Sequence, residues 1–232
     1  MLACANGERG DDTEDGLSMV DIVGLAANSP LRSIESWLRQ GQGLTLSIGA
    51  VGFAQFGCRD DDAQALHAIR NHASVRPFMP TPEPLPLARH LAWVADQLLQ
   101  PGPSSPLILI GRAPATQEPL GFGLLKPVAE AAGMLEVGAM VVGPWQRSPL
   151  PTRLVAALVA VARQLFGAET LQTHVNSAHA QALRFNRGWG LQEMPSGKPG
   201  ELCLSGPIAE VLATPLYRRC VRGLRIGIRP KE

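Results

Sequence analysis

Charge is scarce in this chain, and cysteine is scarcer. Asp, Glu, Lys and Arg make up 18% of its 232 residues and balance to +1, beside 45% hydrophobic residues. So sparse a charge excludes wholesale disorder. So even a balance excludes a global field that would recruit nucleic acid or an anionic membrane. Cys4, Cys58, Cys203 and Cys220 are scattered without a CxxC pair, so neither a disulfide framework nor a zinc site is implied. His67, His72 and His90 have no ligand spacing, and no metal is expected. No apolar run reaches the roughly 18 residues that span a bilayer. The first residues carry Glu8, Asp11, Asp12, Glu14 and Asp15 where a secretory leader needs basic residues and a continuous apolar stretch. A cytoplasmic, reduced location follows by elimination. There are no internal repeats.

What is present reads as an α/β chain. Residues 1–17, polar and rich in Gly and Asp, read as a disordered leader. Residues 18–43 read as a helical extension, in which Ser29-Pro30 precedes Leu31, Ile34, Trp37 and Leu38 at helical spacing and Gly41-Gln42-Gly43 closes the helix. The main domain is expected over 44–206. It begins with an extended apolar stretch to Phe56 and continues with a helix after Asp60–Asp62 that buries Ala63, Leu66, Ile69 and Val75. An irregular Pro-rich segment over 77–86 separates it from a second helix carrying His90, Leu91, Trp93, Val94 and Leu98. Strand-like runs at 107–111, 120–125 and 134–142 form an antiparallel meander. A helix over 154–166, with Leu154, Leu158, Val161 and Leu165 inward, leads to a strand at 170–175. A short helix over 178–187 and a hairpin of 191–194 with 201–204 complete the domain. Residues 207–232 read as a helix from 208 to about 221 and a basic tail carrying Arg222, Arg225, Arg229 and Lys231; both charged ends read as solvated termini. The one parallel-type crossover is the strand–helix–strand unit over 134–175, and in such a unit a ligand sits where the first strand ends and the helix begins.

Three segments, in order, resemble the GNAT (GCN5-related) N-acetyltransferase superfamily. The first is Arg70-Asn71-His72, Val75-Arg76, Met79, His90 and Trp93, similar to the signature of the branch holding the ribosomal-protein N-acetyltransferases and the amino-sugar N-acetyltransferases of flagellin-sugar synthesis. The second is the strand 135–142 running into Trp145-Gln146-Arg147 and the long helix. The third is His179, Ala182, Phe185-Asn186 and Gly190-Leu191. The resemblance implies a mixed, mostly antiparallel twisted sheet with a splayed strand–helix–strand unit that takes acyl-CoA. It implies pantetheine pairing with the main chain around Ala139 to Val142, with Met140, Val141 and Val142 as its contacts. Pyrophosphate would sit at the helix start, near Gln146, Arg147, Ser148, Leu150, Thr152 and Arg153, with His179 beside the cofactor. Acetyl-CoA would be the co-substrate and a primary amine, of a protein N-terminus or an amino sugar, would attack the thioester directly. Glu136 stands where some relatives place the base, and Asn71, Arg76 and His90 would contact the acceptor.

The departures are as informative. Pro149 and Pro151 stand where the family's pyrophosphate loop has glycine or alanine, and proline donates no N–H. Proline does suit a first helical turn, where the missing donor costs little. Asn186 takes the place of the frequent Tyr acid and cannot protonate a thiolate, so water does so or no acid is needed. Bland readings stand beside several of these assignments: Glu136 as an exposed strand carboxylate, His90 as a packed histidine, His179 as a solvated helix start, Asn71 and Arg76 as ties for loop main chain. His174 reads as structural, and Trp145 and Trp189 as cover for apolar surface. Two further readings of the whole remain open. One is a degenerate domain that binds a ligand or partner without transfer. The other is an assembly module, including a homodimer, built on interaction helices at 31–38 and 208–221.

Overall fold

Gly49 turns the first apolar stretch back on itself. In the computed structural model, which describes residues 21–23, 33–79, 81–129 and 131–230, the expected single run to Phe56 is a hairpin of β2 (Gln42–Ile48) and β3 (Val51–Gln55). Gly49 takes a φ of 62°, which costs a residue without a Cβ little. The leader expected over 1–17, and Ser29, Pro30 and Leu31 of the expected first helix, lie outside the described residues. Inside the stretch read as a helical extension, Asp21–Val23 is a strand, β1, and the helix α1 is Ile34–Arg39, capped by Ser33, whose hydroxyl accepts from Ser36 N–H.

The remaining order is α2 (Asp62–Asn71), a 3-10 turn (Arg76–Phe78), α3 (Leu87–Gln97), β4 (Leu107–Arg112), β5 (Pro119–Pro127) and β6 (Met134–Val141), then a second 3-10 turn (Gly143–Arg147), α4 (Leu150–Phe166), β7 (Thr170–Asn176), α5 (Ala180–Arg187), β8 (Gln192–Met194) and β9 (Glu201–Pro207), closed by α6 (Ile208–Ala213), α7 (Pro215–Cys220) and β10 (Arg225–Pro230). The strands form one mixed sheet in the order β1-β10-β2-β3-β4-β5-β6-β7-β9-β8, antiparallel throughout except for the pairs β1–β10 and β6–β7. The meander and the crossover over 134–175 are as the sequence implies; the second parallel pair, β1–β10, is not foreseen by it.

Two expectations for the C-terminus are corrected. The helix expected from 208 to about 221 is two helices, because Pro215 has no N–H to continue the first. Thr214 serves both, its hydroxyl donating to Val211 O at 2.8 Å and accepting from Tyr217 N–H at 3.1 Å. The basic tail is β10, which pairs with β2 from Arg225↔Ser47 to Pro230↔Gln42. Ile226 is fully buried while its neighbour Arg225 is exposed, as expected of a half-buried strand.

The core lies mainly between the sheet and α4. That helix buries Leu154, Leu158, Val161 and Leu165 as their spacing requires, and its alanines at 156, 157, 160 and 162 are buried too, since α6 and α7 cover its outer side. Each fully buried Leu or Val side chain contributes about 1.5–3 kcal/mol relative to exposure. Ile34 and Trp37 of α1, and Ile208, Val211 and Tyr217 of α6 and α7, belong to this same cluster. Trp37 donates its indole N–H to Gln55 Oε1 at 3.1 Å, and the same oxygen accepts from Leu44 N–H. The apolar faces read as interaction helices therefore lie within the chain's own core. A smaller cluster on the opposite face joins Ala65, Leu66 and Ile69 of α2 to Ile108, Ile110 and Val142.

Candidate acyl-transfer site

The site begins where a ladder stops. β5 and β6 pair along seven positions, from Gly121↔Val141 to Pro127↔Leu135. β6 and β7 pair only at Met134↔Thr170, Leu135↔Leu171 and Glu136↔Gln172, although β6 runs on to Val141 and β7 to Asn176. Beyond Glu136 the strands part, and a slot opens between Val137 and Ala139 on one side and Leu171 and Thr173 on the other, with Phe185, Asn186 and Trp189 along its edge.

The direction of the β6 main chain decides which groups face that slot. Val142 N–H donates to Leu120 O at 2.9 Å, and Met140 O lies against Gly121, so both residues turn their main chain toward β5. Alternation then turns Val137, Ala139 and Val141 toward the parted strand β7. Of the residues from Ala139 to Val142 expected to pair with pantetheine, Ala139 and Val141 present their main chain to the slot, while Met140 and Val142 do not; the Met140 side chain lines a cavity on the other face.

The start of α4 also differs from expectation, since it begins at Leu150 rather than 154, with Pro151 in its first turn. Few donors remain there. Ser148 N–H donates to Trp145 O, Leu150 N–H to Ser148 Oγ at 3.1 Å, and Arg153 N–H to Pro149 O at 3.0 Å. Thr152 is left as the main-chain donor of the first turn without a partner among the described residues. The side chains are unevenly available. Gln146 Nε2 donates to Ser74 O at 3.1 Å, and Arg153 donates to Arg222 O at 2.9 Å, whereas Arg147 is exposed.

On the opposite face of the sheet lies a cavity of about 460 Å³ between α2, α3 and the strands β4, β5 and β6. Glu136 lines it, at the fork where the β6–β7 ladder ends. His174 Nδ1 lies 3.4 Å from Glu136 Oε1, and its Nε2 lies 3.9 Å from Glu201 Oε1, which makes His174 a bridge between two carboxylates. His174 is the functional candidate that the sequence reading passed over. The signal was its place two residues after Gln172, on the same face of β7 as the partner of Glu136. Cys203, paired with His174 across β7 and β9, stays a neutral thiol: burial, then Glu136 and Glu201, push its pKa up.

The three residues expected at the acceptor divide. His90 lines the cavity, is 3% exposed and donates Nε2–H to Ala63 O at 2.9 Å; burial and the nearby His67 and Arg70 charges hold its pKa below the usual histidine value against the opposite pull of that bond. Asn71 instead ties down the Pro-rich segment, accepting from Leu85 N–H at 2.8 Å and donating to Leu85 O at 3.0 Å. Arg76 is not among the residues that line the cavity. His179 caps α5, its Nδ1 accepting from Ala182 N–H at 3.4 Å, and its ring stacks on Phe78 at 3.7 Å. That stack joins the segment after α2 to the α5 side of the slot. Asn186 lines the slot but donates to Ala182 O at 2.9 Å. Trp189, 1% exposed, lines the slot as well, and its indole N–H has no partner among the described residues.

Among the described residues no helix is long and apolar enough to cross a membrane, and no group of three or more His, Cys, Asp or Glu is placed to hold a metal ion. Solved structures share the fold. A GCN5-related N-acetyltransferase from Brucella melitensis superposes with a TM-score of 0.58 at 16% identity, over 76% of this chain and 83% of that one. An acetyltransferase from Thermus thermophilus gives 0.56 at 20% identity, over 69% and 98%. A probable GNAT-family acetyltransferase from Chromobacterium violaceum gives 0.54 at 19% identity, over 69% and 89%. Among the curated proteins compared, none matches this chain. The sequence model of the acetyltransferase (GNAT) domain matches residues 41–192, a span that contains the parted strands, the cavity and the lining of the slot except Val211, and the chain belongs to the GNAT acetyltransferase family.

Proposed function

We propose that this protein transfers an acetyl group from acetyl-CoA to a primary amine by direct attack. The observation that carries the reading is the fork at Glu136: a slot with unpaired strand edge opens from it on one side, and a cavity of about 460 Å³ opens on the other. Pantetheine adds to β6 along the main chain of Val137, Ala139 and Val141. The pyrophosphate meets Thr152 N–H, the dipole of α4 and the Arg147 side chain, the charged donor compensating for the N–H groups that prolines remove.

Glu136 takes the ammonium proton from the acceptor, and His174 carries it toward Glu201 and solvent. The amine nitrogen then bonds to the thioester carbon, the C–S bond breaks, and CoA leaves as a thiolate. Asn186 has no proton to give, so the thiolate takes one from water. The unpartnered Trp189 N–H, an orphan donor whose burial costs about 1–3 kcal/mol, is positioned to bond an oxygen of the bound arm. The signature running from Arg70 to Trp93 supports a protein N-terminus or an amino sugar as the acceptor class.

The poor supply of main-chain donors at the proline-bearing start of α4 favours one rival, a domain that binds a ligand without transfer. Thiol release from acetyl-CoA with a panel of primary amines separates the two. The Glu136→Gln variant is expected to lower kcat by about 100-fold or more and to remove the rise of rate with pH. An unaltered pH profile removes Glu136 from the mechanism, and no release with any amine favours the rival.

A further inference from the structure

The cavity on the α2–α3 face carries more positive charge than an amine acceptor alone would tolerate. Its wall includes Arg70, Arg89 and Lys126 against a single carboxylate, Glu136, which His174 already engages. None of the three cations forms an ion pair among the described residues, and Lys126 lies directly across the β5–β6 ladder from Glu136 without closing a bond to it. Arg70 is the sharpest of these. Its Nη2 reaches only Thr81 Oγ1, at 3.4 Å, and its Nη1 is buried with no partner among the described residues. A guanidinium is the group best suited to a bidentate carboxylate or phosphate, and leaving its N–H groups buried and unpaired is costly. Apart from the uncharged polar side chains of Thr81 and Gln97 and the His90 ring, the rest of the wall is apolar, with Leu66, Met79, Trp93, Phe122, Leu124 and Met140 among its residues.

We infer that the acceptor is a small amine that carries a carboxylate: the amine lies at Glu136, an apolar body fills the middle, and the carboxylate lies against Arg70 with Arg89 at its flank. This rests on the acetyl-transfer reading to a primary amine and, on the charge of the cavity, replaces the protein N-terminus or amino sugar suggested by the sequence signature. A body of this kind suits a volume of about 460 Å³, within the ordinary range for small-molecule sites. Burial lowers the Arg70 pKa, yet an arginine remains charged at neutral pH and the demand for an anion persists.

The test compares an aromatic amino acid analogue, 4-(aminomethyl)benzoate, with its methyl ester, a peptide with a free N-terminus and glucosamine, all with acetyl-CoA and a thiol readout. The acid is expected to have a kcat/KM about tenfold or more above the ester, as a charge-assisted contact implies. Arg70→Gln and, as a second variant at an exposed position, Arg89→Gln are expected to lower the ratio of acid to ester kcat/KM toward one. An ester, peptide or sugar that matches the acid overturns the inference, as does a variant that lowers acid and ester alike. Calorimetric binding of acid and ester without acetyl-CoA keeps the inference separate from the transfer reading. If no amine is acetylated but the acid alone binds and Arg70→Gln weakens it, the anion site stands and the transfer reading falls. Equal binding of acid and ester overturns the site.

Discussion

On one face of the sheet α4 buries Leu154, Leu158, Val161 and Leu165 against β5 and β6, and α6 and α7 close over its back. On the other face α2 and α3 are tied down by polar contacts. Arg112 reaches Asp61 at 2.8 Å and Asp62 at 3.2 Å, Asp62 also accepts from the N–H groups of Gly57 and Arg59, Asn71 holds Leu85 at both N–H and C=O, and His90 holds Ala63. Dispersion and apolar burial fill space, so the first face keeps only the narrow slot between β6 and β7, walled by Val155 and Val159 of α4. Directional bonds fix positions without filling the space between them, so the second face, with its smaller apolar cluster, keeps a wider cavity beside Glu136. The face with the wide cavity is anchored largely at points, and the face with the narrow slot is packed.

Arg112→Met tests the anchored face with the largest expected effect. It strands Asp62, which is 4% exposed, and should cost about 3–5 kcal/mol in chemical denaturation. Leu158→Ala tests the packed face and should cost about 2–5 kcal/mol with little change in acceptor KM. A large KM effect from Leu158→Ala would break the division between the faces. Asn71→Ala should cost about 1–3 kcal/mol, and because the Pro-rich segment forms part of the cavity wall, it should raise acceptor KM more than acetyl-CoA KM. Equal effects on both constants would show that Asn71 does not serve the cavity.

The smallest effect is in pH. Burial holds His90 and His179 below their ordinary value of 6.5 in the folded chain. The unfolded chain then binds more protons just below pH 6.5, so the stabilisation from the neutral rings is fully present above 6.5 and is lost as pH falls toward their folded values. Denaturation midpoints from pH 7.5 down to about 5 should decline, and His90→Asn should flatten the decline. A midpoint that rises on acidification contradicts the assignment.

Much of this was legible before any coordinates. The meander, the long helix and the crossover follow from local periodicity, and Glu136 stands out as a carboxylate at the start of a central apolar strand. What was not legible depends on register and on distant pairing. β10 looks like a charged tail because Arg225 and Arg229 flank only short apolar residues, and its partner, β2, lies some 180 positions earlier in the sequence. His174 gains meaning only when β6 and β7 are aligned at Glu136↔Gln172. Asn71 looks like a pocket residue until its two bonds to Leu85 are seen, and the available donors at α4 depend on where that helix starts.

The central claim is that the parted strands and the proline-bearing start of α4 hold acyl-CoA. Isothermal titration of the purified protein with acetyl-CoA, and with free CoA alongside, tests it most directly. Binding of both in the roughly micromolar range is predicted, as is usual for a working co-substrate, with Arg147→Ala weakening both about tenfold through the lost charged contact. Heat from neither ligand would contradict the account.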